Sequence, residues 1–128
     1  MKYFSIKELC ASSVAEKNDI YNIPDLYAMD NLHELVDNIL DPARERLGEP
    51  IYISSGYRCE EVNRLVGGAK NSQHLKGMAA DCYCTHNDQL LSILLNLDFD
   101  QIVIYPGFVH VSYTSFRRNR NQLIDKRV

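Results

Sequence analysis

Two β-prone runs separated only by Pro106-Gly107 constrain this chain more than any other feature. Gln101 to Tyr105 is a run of β-branched and aromatic residues, and Phe108 to Tyr113 alternates apolar with polar positions. A Pro-Gly pair between such runs is a strong turn signal, so the two read as arms of one antiparallel hairpin. Strand side chains alternate between faces, which sets His110 and Ser112 on the same face of the returning arm. Upstream, Ser72-Gln73-His74-Leu75-Lys76-Gly77-Met78-Ala79-Ala80-Asp81 sets a histidine and a carboxylate a short loop apart. Ala79 to Cys84 reads as a central strand carrying Asp81. The small residues Gly77, Ala79 and Ala80 let backbone pass close to a site.

The hairpin returns His110 toward the first pair, so His74, Asp81 and His110 form a ligand set for one zinc ion. Two imidazoles and one carboxylate leave a fourth position for water, as in a catalytic site rather than a closed structural one. By spacing alone the same residues also read as polar loop residues plus a half-buried histidine.

The 128 residues suffice for a core within one domain, 1–128. Net charge is −3 with 24% charged residues, which carries no nucleic-acid footprint. No apolar run approaches membrane-spanning length, so no membrane span is expected. Met1 to Glu8 lacks a long apolar stretch, so we expect no signal peptide, synthesis in a cytoplasm, and release by other means if the protein acts outside it. A monomer is expected. Of the four cysteines, Cys10, Cys59, Cys82 and Cys84, none forms the paired C-x-x-C knuckles of a zinc ribbon. Buried free thiols are expected in preference to a disulfide framework.

Ser5-Ile6-Lys7-Glu8 and Ser13-Val14-Ala15-Glu16 have the shape of capping boxes and predict two short helices. Asn18 to Pro24 is loop-like. Asp30 is placed to cap a long helix whose Leu32, Leu35, Val36, Ile39, Leu40, Ala43 and Leu47 share one face. Pro42 predicts a kink or restart, and Gly48 ends the helix. His33 and Glu34 read as solvated. Ile51 to Ile53 is a short strand, and Cys59 to Val66 a short helix stopped by Gly67-Gly68. That strand–turn–helix passage fixes Arg58 at the lip of a cleft, or leaves it in an ordinary surface salt bridge. Thr85 or Asn87 can cap a further helix that is apolar around much of its circumference and so expected to be well buried. The segment 114–128, with Arg117, Arg118, Arg120, Lys126 and Arg127, reads as a basic, solvated tail that could also assist binding to an anionic polymer.

Ser54-Ser55-Gly56-Tyr57-Arg58, Ser72-x-His74-x-x-Gly77-x-Ala79-x-Asp81 and Phe108-Val109-His110-Val111-Ser112 together resemble the M15 zinc peptidases, a family of D-alanyl-D-alanine carboxypeptidases, dipeptidases and phage endolysins that cut peptidoglycan stem peptides. The likeness is strongest to the short phage and prophage branch and runs from about residue 3 to 116. Phe4 to Leu9, Asn22-Ile23-Pro24 and Ile39-Leu40-Asp41-Pro42-x-Arg44 also fit it. The resemblance implies a small α+β domain, with helices packed on one face of a mostly antiparallel sheet. It implies that His74, Asp81 and His110 hold the zinc, that Arg58 contacts substrate, and that Ser72 stands beside the site.

One part of that pattern is missing. Many relatives carry an acid shortly before the last ligand, where this chain has Gly107 or Tyr105, and no carboxylate lies between Asp100 and His110. An amide hydrolase needs a proton carrier. Asp100, Tyr105 and His86 are the candidates, each with a bland alternative: Asp100 as a cap or turn residue, Tyr105 as a packed strand residue, His86 as a helix-start residue. The leading expectation is therefore a zinc peptidase acting on peptidoglycan. The alternatives are a zinc-containing wall-binding module of little or no activity, and a virion assembly protein that uses the tail for docking.

Overall fold

A computed structural model describes residues 1–127. Its centre is a five-stranded sheet in the order β1-β2-β4-β3-β5. The strands are β1 (Tyr52–Ser55), β2 (Ala79–Tyr83), β3 (Gln101–Tyr105), β4 (Phe108–Ser112) and β5 (Gln122–Asp125). All pairings are antiparallel except β3 with β5. The hairpin forms as the sequence predicts: β3 and β4 pair from Ile102↔Val111 to Tyr105↔Phe108 around Gly107, whose φ of 92° suits the turn.

The alternation of side chains divides the sheet into a packed face and an open one. Ala80 and Cys82 of β2, Ile102 and Ile104 of β3, and Val109 and Val111 of β4 point into the hydrophobic core. Helical residues such as Leu9, Leu32, Leu35, Ile39, Leu40, Leu90 and Leu94 cover that face, giving the expected α+β arrangement. Burial of a Leu or Ile side chain contributes about 1.5–3 kcal/mol, and Leu32, Leu35, Ile39, Leu40, Leu90 and Leu94 are all fully buried here. The opposite face carries Asp81, His110, Val103 and Tyr105.

The helices are α1 (Ile6–Cys10), α2 (Ser13–Lys17), α3 (Leu26–Leu35), α4 (Asp41–Leu47), α5 (Glu60–Leu65) and α6 (Asn87–Leu94). Ser5 caps α1 as expected, its Oγ accepting from Glu8 N at 3.1 Å. α2 is capped one residue earlier than its box suggests, by Ser12, which accepts from Ala15 N at 3.1 Å. Asp25, not Asp30, caps α3, accepting from Ala28 N at 2.8 Å. The apolar period hides that start because Leu26 and Tyr27 are exposed at 80% and 54%.

Pro42 leaves no break. Between α3 and α4 the chain makes one π-helical turn, Val36–Leu40, with Asp41 N–H reaching back five residues to Val36 O. A proline ring collides with the carbonyl four residues before it, and the wider turn relieves that crowding while the apolar stripe continues. α6 is less enclosed than its composition suggests. Leu90 and Leu94 are buried, but Leu95 is exposed. His33 and Glu34 are exposed, as expected.

The basic C-terminal segment departs from expectation. It returns to the sheet as β5, with Gln101↔Gln122 and Ile104↔Asp125 marking the ends of the pairing. Asn119 is buried and secures the return: its Oδ1 accepts from Thr114 N at 2.9 Å and its Nδ2 donates to Asp98 O at 3.1 Å. All four cysteines are free. Among the described residues no helix is long and apolar enough to cross a membrane.

Candidate metal centre

His74, Asp81 and His110 converge. One ligand atom from each lies within 4.8 Å of the other two. The sheet register accounts for two of them, because Asp81 on β2 stands directly opposite His110 on β4. His74 arrives on a 3-10 turn, Gln73–Lys76, packed beside β2. Ser72 begins that turn, its Oγ accepting from His74 N at 3.2 Å, and Gly77 ends it in the left-handed conformation at φ 73°. A side chain at Gly77 would place its Cβ 2.2 Å from Ala28 O, so the residue type is required twice over.

The hydrogen bonds at His74 fix its tautomer. Its Nδ1 lies 2.7 Å from Gly56 O, and a carbonyl can only accept, so the proton is on Nδ1. The lone pair of neutral His74 is then on Nε2, which faces Asp81 Oδ1 at 3.3 Å. The ring nitrogen and the carboxylate oxygen meet there across a shared cation, either a proton, which makes the contact a hydrogen bond, or a metal ion. His110 Nδ1 is 2.9 Å from the same Asp81 oxygen. Tetrahedral nitrogen and oxygen ligands ~2.0–2.1 Å from zinc stand about 3.3 Å apart, the separation His74 shows, while His110 stands somewhat nearer. The carbonyl behind His74 is the support that metal-bound imidazoles usually have. This donor set and its spacing fit a zinc ion.

Asp81 is an anion at neutral pH. Burial pushes its carboxyl upward, but hydrogen bonds from His110 and His74 outweigh burial and hold it well below the usual carboxylate range. Its second oxygen faces Arg58 Nη2 at 3.6 Å. Arg58 is held at the cleft by Nε donating to Ser55 Oγ at 3.0 Å and Nη1 donating to Asn63 Oδ1 at 3.1 Å. Burial lowers its guanidinium below the ordinary arginine value, with the Asp81 charge opposing that shift. Asn22 secures the adjoining backbone, its Oδ1 accepting from Cys59 N at 2.7 Å and its Nδ2 donating to Tyr57 O at 2.9 Å. Ser55 and Asn22 stood in the quoted segments without a role assigned to them, and nothing in the sequence singled out Asn63. The signal for Asn63 is only its nearness in the chain to Arg58.

His74, Asp81, His110 and Arg58 line a cleft of about 820 Å³ on the open face of the sheet. Ser72 and Tyr105 are in its wall, the Tyr105 ring stacked on Phe108 at 4.6 Å. Asp100 is elsewhere. It is fully buried and accepts from Arg117, Arg120 and Gln73, including Arg117 Nη1 at 2.7 Å and Arg120 Nη2 at 2.8 Å. Burial raises its carboxyl, and these donors more than reverse the effect, leaving it well below the ordinary range. A low-pKa carboxylate with its lone pairs engaged is not a proton carrier, so the proposed catalytic role for Asp100 fails on this geometry. His86 is exposed, stands at the N-cap of α6 as its helix-start reading expects, and pairs with Glu49 at 2.7 Å.

Gly56 links the fold to the centre. A Cβ there would stand 2.1 Å from Leu9 O, and the Gly56 carbonyl is the acceptor that orients His74. Gly56→Ala is expected to cost about 1–3 kcal/mol of stability through overpacking, and to weaken divalent-ion binding by about 10–100-fold through loss of the His74 orientation. Thermal unfolding and chelator-competition titration check both parts. Wild-type values in both would show that the close approach of Leu9 is easily relieved.

The family model described as Peptidase M15 matches residues 2–112, a span that includes Arg58, the three convergent ligands and β1 to β4. No curated protein matches the chain. On this match the chain belongs to the peptidase M15 family.

Proposed function

We propose that the protein is a zinc-dependent peptidase that hydrolyses peptide bonds in the stem peptides or cross-links of peptidoglycan. The observation carrying this reading is the convergence of His74, Asp81 and His110 within 4.8 Å in a cleft that also holds Arg58. Bound there, zinc would supply a Lewis acid and a water with its pKa lowered toward ~7. The chain's own residues do the rest. His74 and His110 keep their ring nitrogens aimed inward beside Asp81 Oδ1, and Asp81 supplies the anionic member of the set. Arg58 presents guanidinium protons toward the substrate carboxylate or the carbonyl being polarised, which suits its rigid fork of donors. Ser72 holds the His74 turn. Tyr105 is the phenol in the cleft wall and the remaining candidate to pass a proton to the leaving amine.

The likeness of the sequence to the short phage and prophage branch supports a phage or prophage lysis protein acting at the cell wall. We expect a monomer. One observation favours a second reading: among the described residues lining the cleft, Asp81 is the only carboxylate, so no acid stands ready as general base. The second reading is a zinc-holding module that binds wall peptide without cutting it.

Purified peptidoglycan incubated with zinc-loaded protein should release new amino termini. Chelation should abolish the release and added zinc should restore it. Pull-down of the protein with intact wall, and no new termini under any metal condition, would replace the hydrolase with the binding module.

A further inference from the structure

The cleft continues past the metal candidates to a wall built from residues 116–126, beyond the span that the family matches. Five cations line the cleft: Arg58, Lys76, Arg117, Arg120 and Lys126. The chain as a whole is acidic at −3, so the sign of the cleft is opposite to that of the molecule.

The far wall is preorganised. Arg117 and Arg120 share one carboxylate, Asp100, which is wholly buried beneath them. One negative charge under two guanidinium groups leaves one positive charge uncompensated. The two arginine side chains keep 38% and 47% exposure, so the surplus faces the cleft and not the core. Because Asp100 already fixes both side chains, binding an anion there loses less side-chain entropy than it would on free arginines. Lys126 adds a third charge. Its backbone N–H donates to Ile104 O at 2.7 Å, its ammonium stands 5.7 Å from the Tyr105 ring centre, and it forms no ion pair among the described residues.

We propose that Arg117, Arg120 and Lys126 form a carboxylate subsite. The peptide substrate carries an acidic group, some residues from the bond to be cut, that seats on this wall while Arg58 and the metal ligands hold the reacting end. A guanidinium fork matches a carboxylate bidentately, and an acidic peptide supplies carboxylates along its own chain. This inference rests on the peptidase reading and narrows it to acidic peptides.

The test uses short peptides with a free C-terminal carboxylate and either Glu or Gln placed two, three or four residues before it. KM is measured on zinc-loaded protein, and Kd by calorimetry on the same full chain after chelation. At one position the Glu peptide should be favoured by about fivefold, the scale of a half-exposed ion pair, and the preference should shrink with added salt. The Glu-to-Gln ratio should fall toward one in Lys126→Gln and in Lys126→Gln combined with Arg120→Gln. Lys126→Gln serves as the cleaner variant because Arg120 also supports Asp100. Equal affinity for Glu and Gln peptides at every position, a ratio that survives the double substitution, or no binding of any peptide would overturn the subsite. If the Glu preference persists in Kd while no peptide is cut, the hydrolase reading fails and the subsite stands. If Glu and Gln peptides are cut alike, the hydrolase stands and the subsite fails.

Discussion

An Asp81→Ala protein is expected to keep its sheet, to lose its tightly held divalent ion, and to retain less than about one part in a hundred of any peptide hydrolysis. The scale comes from metal sites at large. Groups that merely orient a ligand cost about 10–100-fold when removed, and Asp81 stands among the ligands themselves. Its Oδ1 faces both His74 Nε2 at 3.3 Å and His110 Nδ1 at 2.9 Å, so it is the common member of the set. The fold should survive because Asp81 points to the open face, while its neighbours Ala80 and Cys82 supply the core contacts of β2. Far-ultraviolet circular dichroism, metal content after gel filtration, and cleavage rate separate these parts. A variant that holds a full complement of zinc and cuts at the wild-type rate would show that the ion belongs elsewhere.

The centre was legible because its geometry follows from strand alternation. Once β2 and β4 are antiparallel neighbours, Asp81 opposite His110 is a matter of register. His74 then needs only a short turn, and its Ser72 start and Gly77 end are both visible as residue types. The helix face from Leu32 to Ala43 was legible for the same reason, since a period of 3.6 survives even a π-helical turn. The C-terminal segment was not legible. Its charges look solvated because their partner, Asp100, lies 17 and 20 residues earlier and is hidden in the fold. A sequence displays charges but not which of them will be buried together. β5 escaped notice because a four-residue strand with exposed Gln122, Leu123 and Asp125 has almost no apolar signature. The missing proton carrier is a related case. Proximity in the chain suggested Asp100, whereas its side chain is engaged by Arg117 and Arg120 and lies outside the cleft lining.

That pairing makes Asp100 the second large effect, and one on stability. Asp100→Ala removes an acceptor that Arg117 Nη1, Arg120 Nη2 and Gln73 Nε2 reach at 2.7, 2.8 and 2.9 Å. Breaking a fully buried pair costs about 3–5 kcal/mol. The two guanidinium groups are partly exposed and can turn to water, which reduces the expected loss to about 2–4 kcal/mol, or about 10 °C in Tm for a domain of this size. The loss should also depend on pH, with a definite sign. The Asp100 carboxyl is lowered in the folded chain from an ordinary value near ~3.9 in the unfolded one. Its stabilisation is therefore complete above about pH 5 and disappears as pH falls through the folded value. The gap in Tm between wild type and Asp100→Ala should be widest at pH 7, already smaller at pH 3, and should close only as pH falls through the folded value. Asp125 provides the comparison, because Arg127 Nη2 is 2.6 Å from its carboxylate but the pair is exposed at 49% and 45%. Asp125→Ala should leave Tm unchanged at both pH values, since water replaces the lost partner. If Asp100→Ala behaves like Asp125→Ala, the guanidinium cluster does not hold the C-terminal strand in place. The same result would remove the rigid support from the cationic wall that Arg117 and Arg120 present to the cleft.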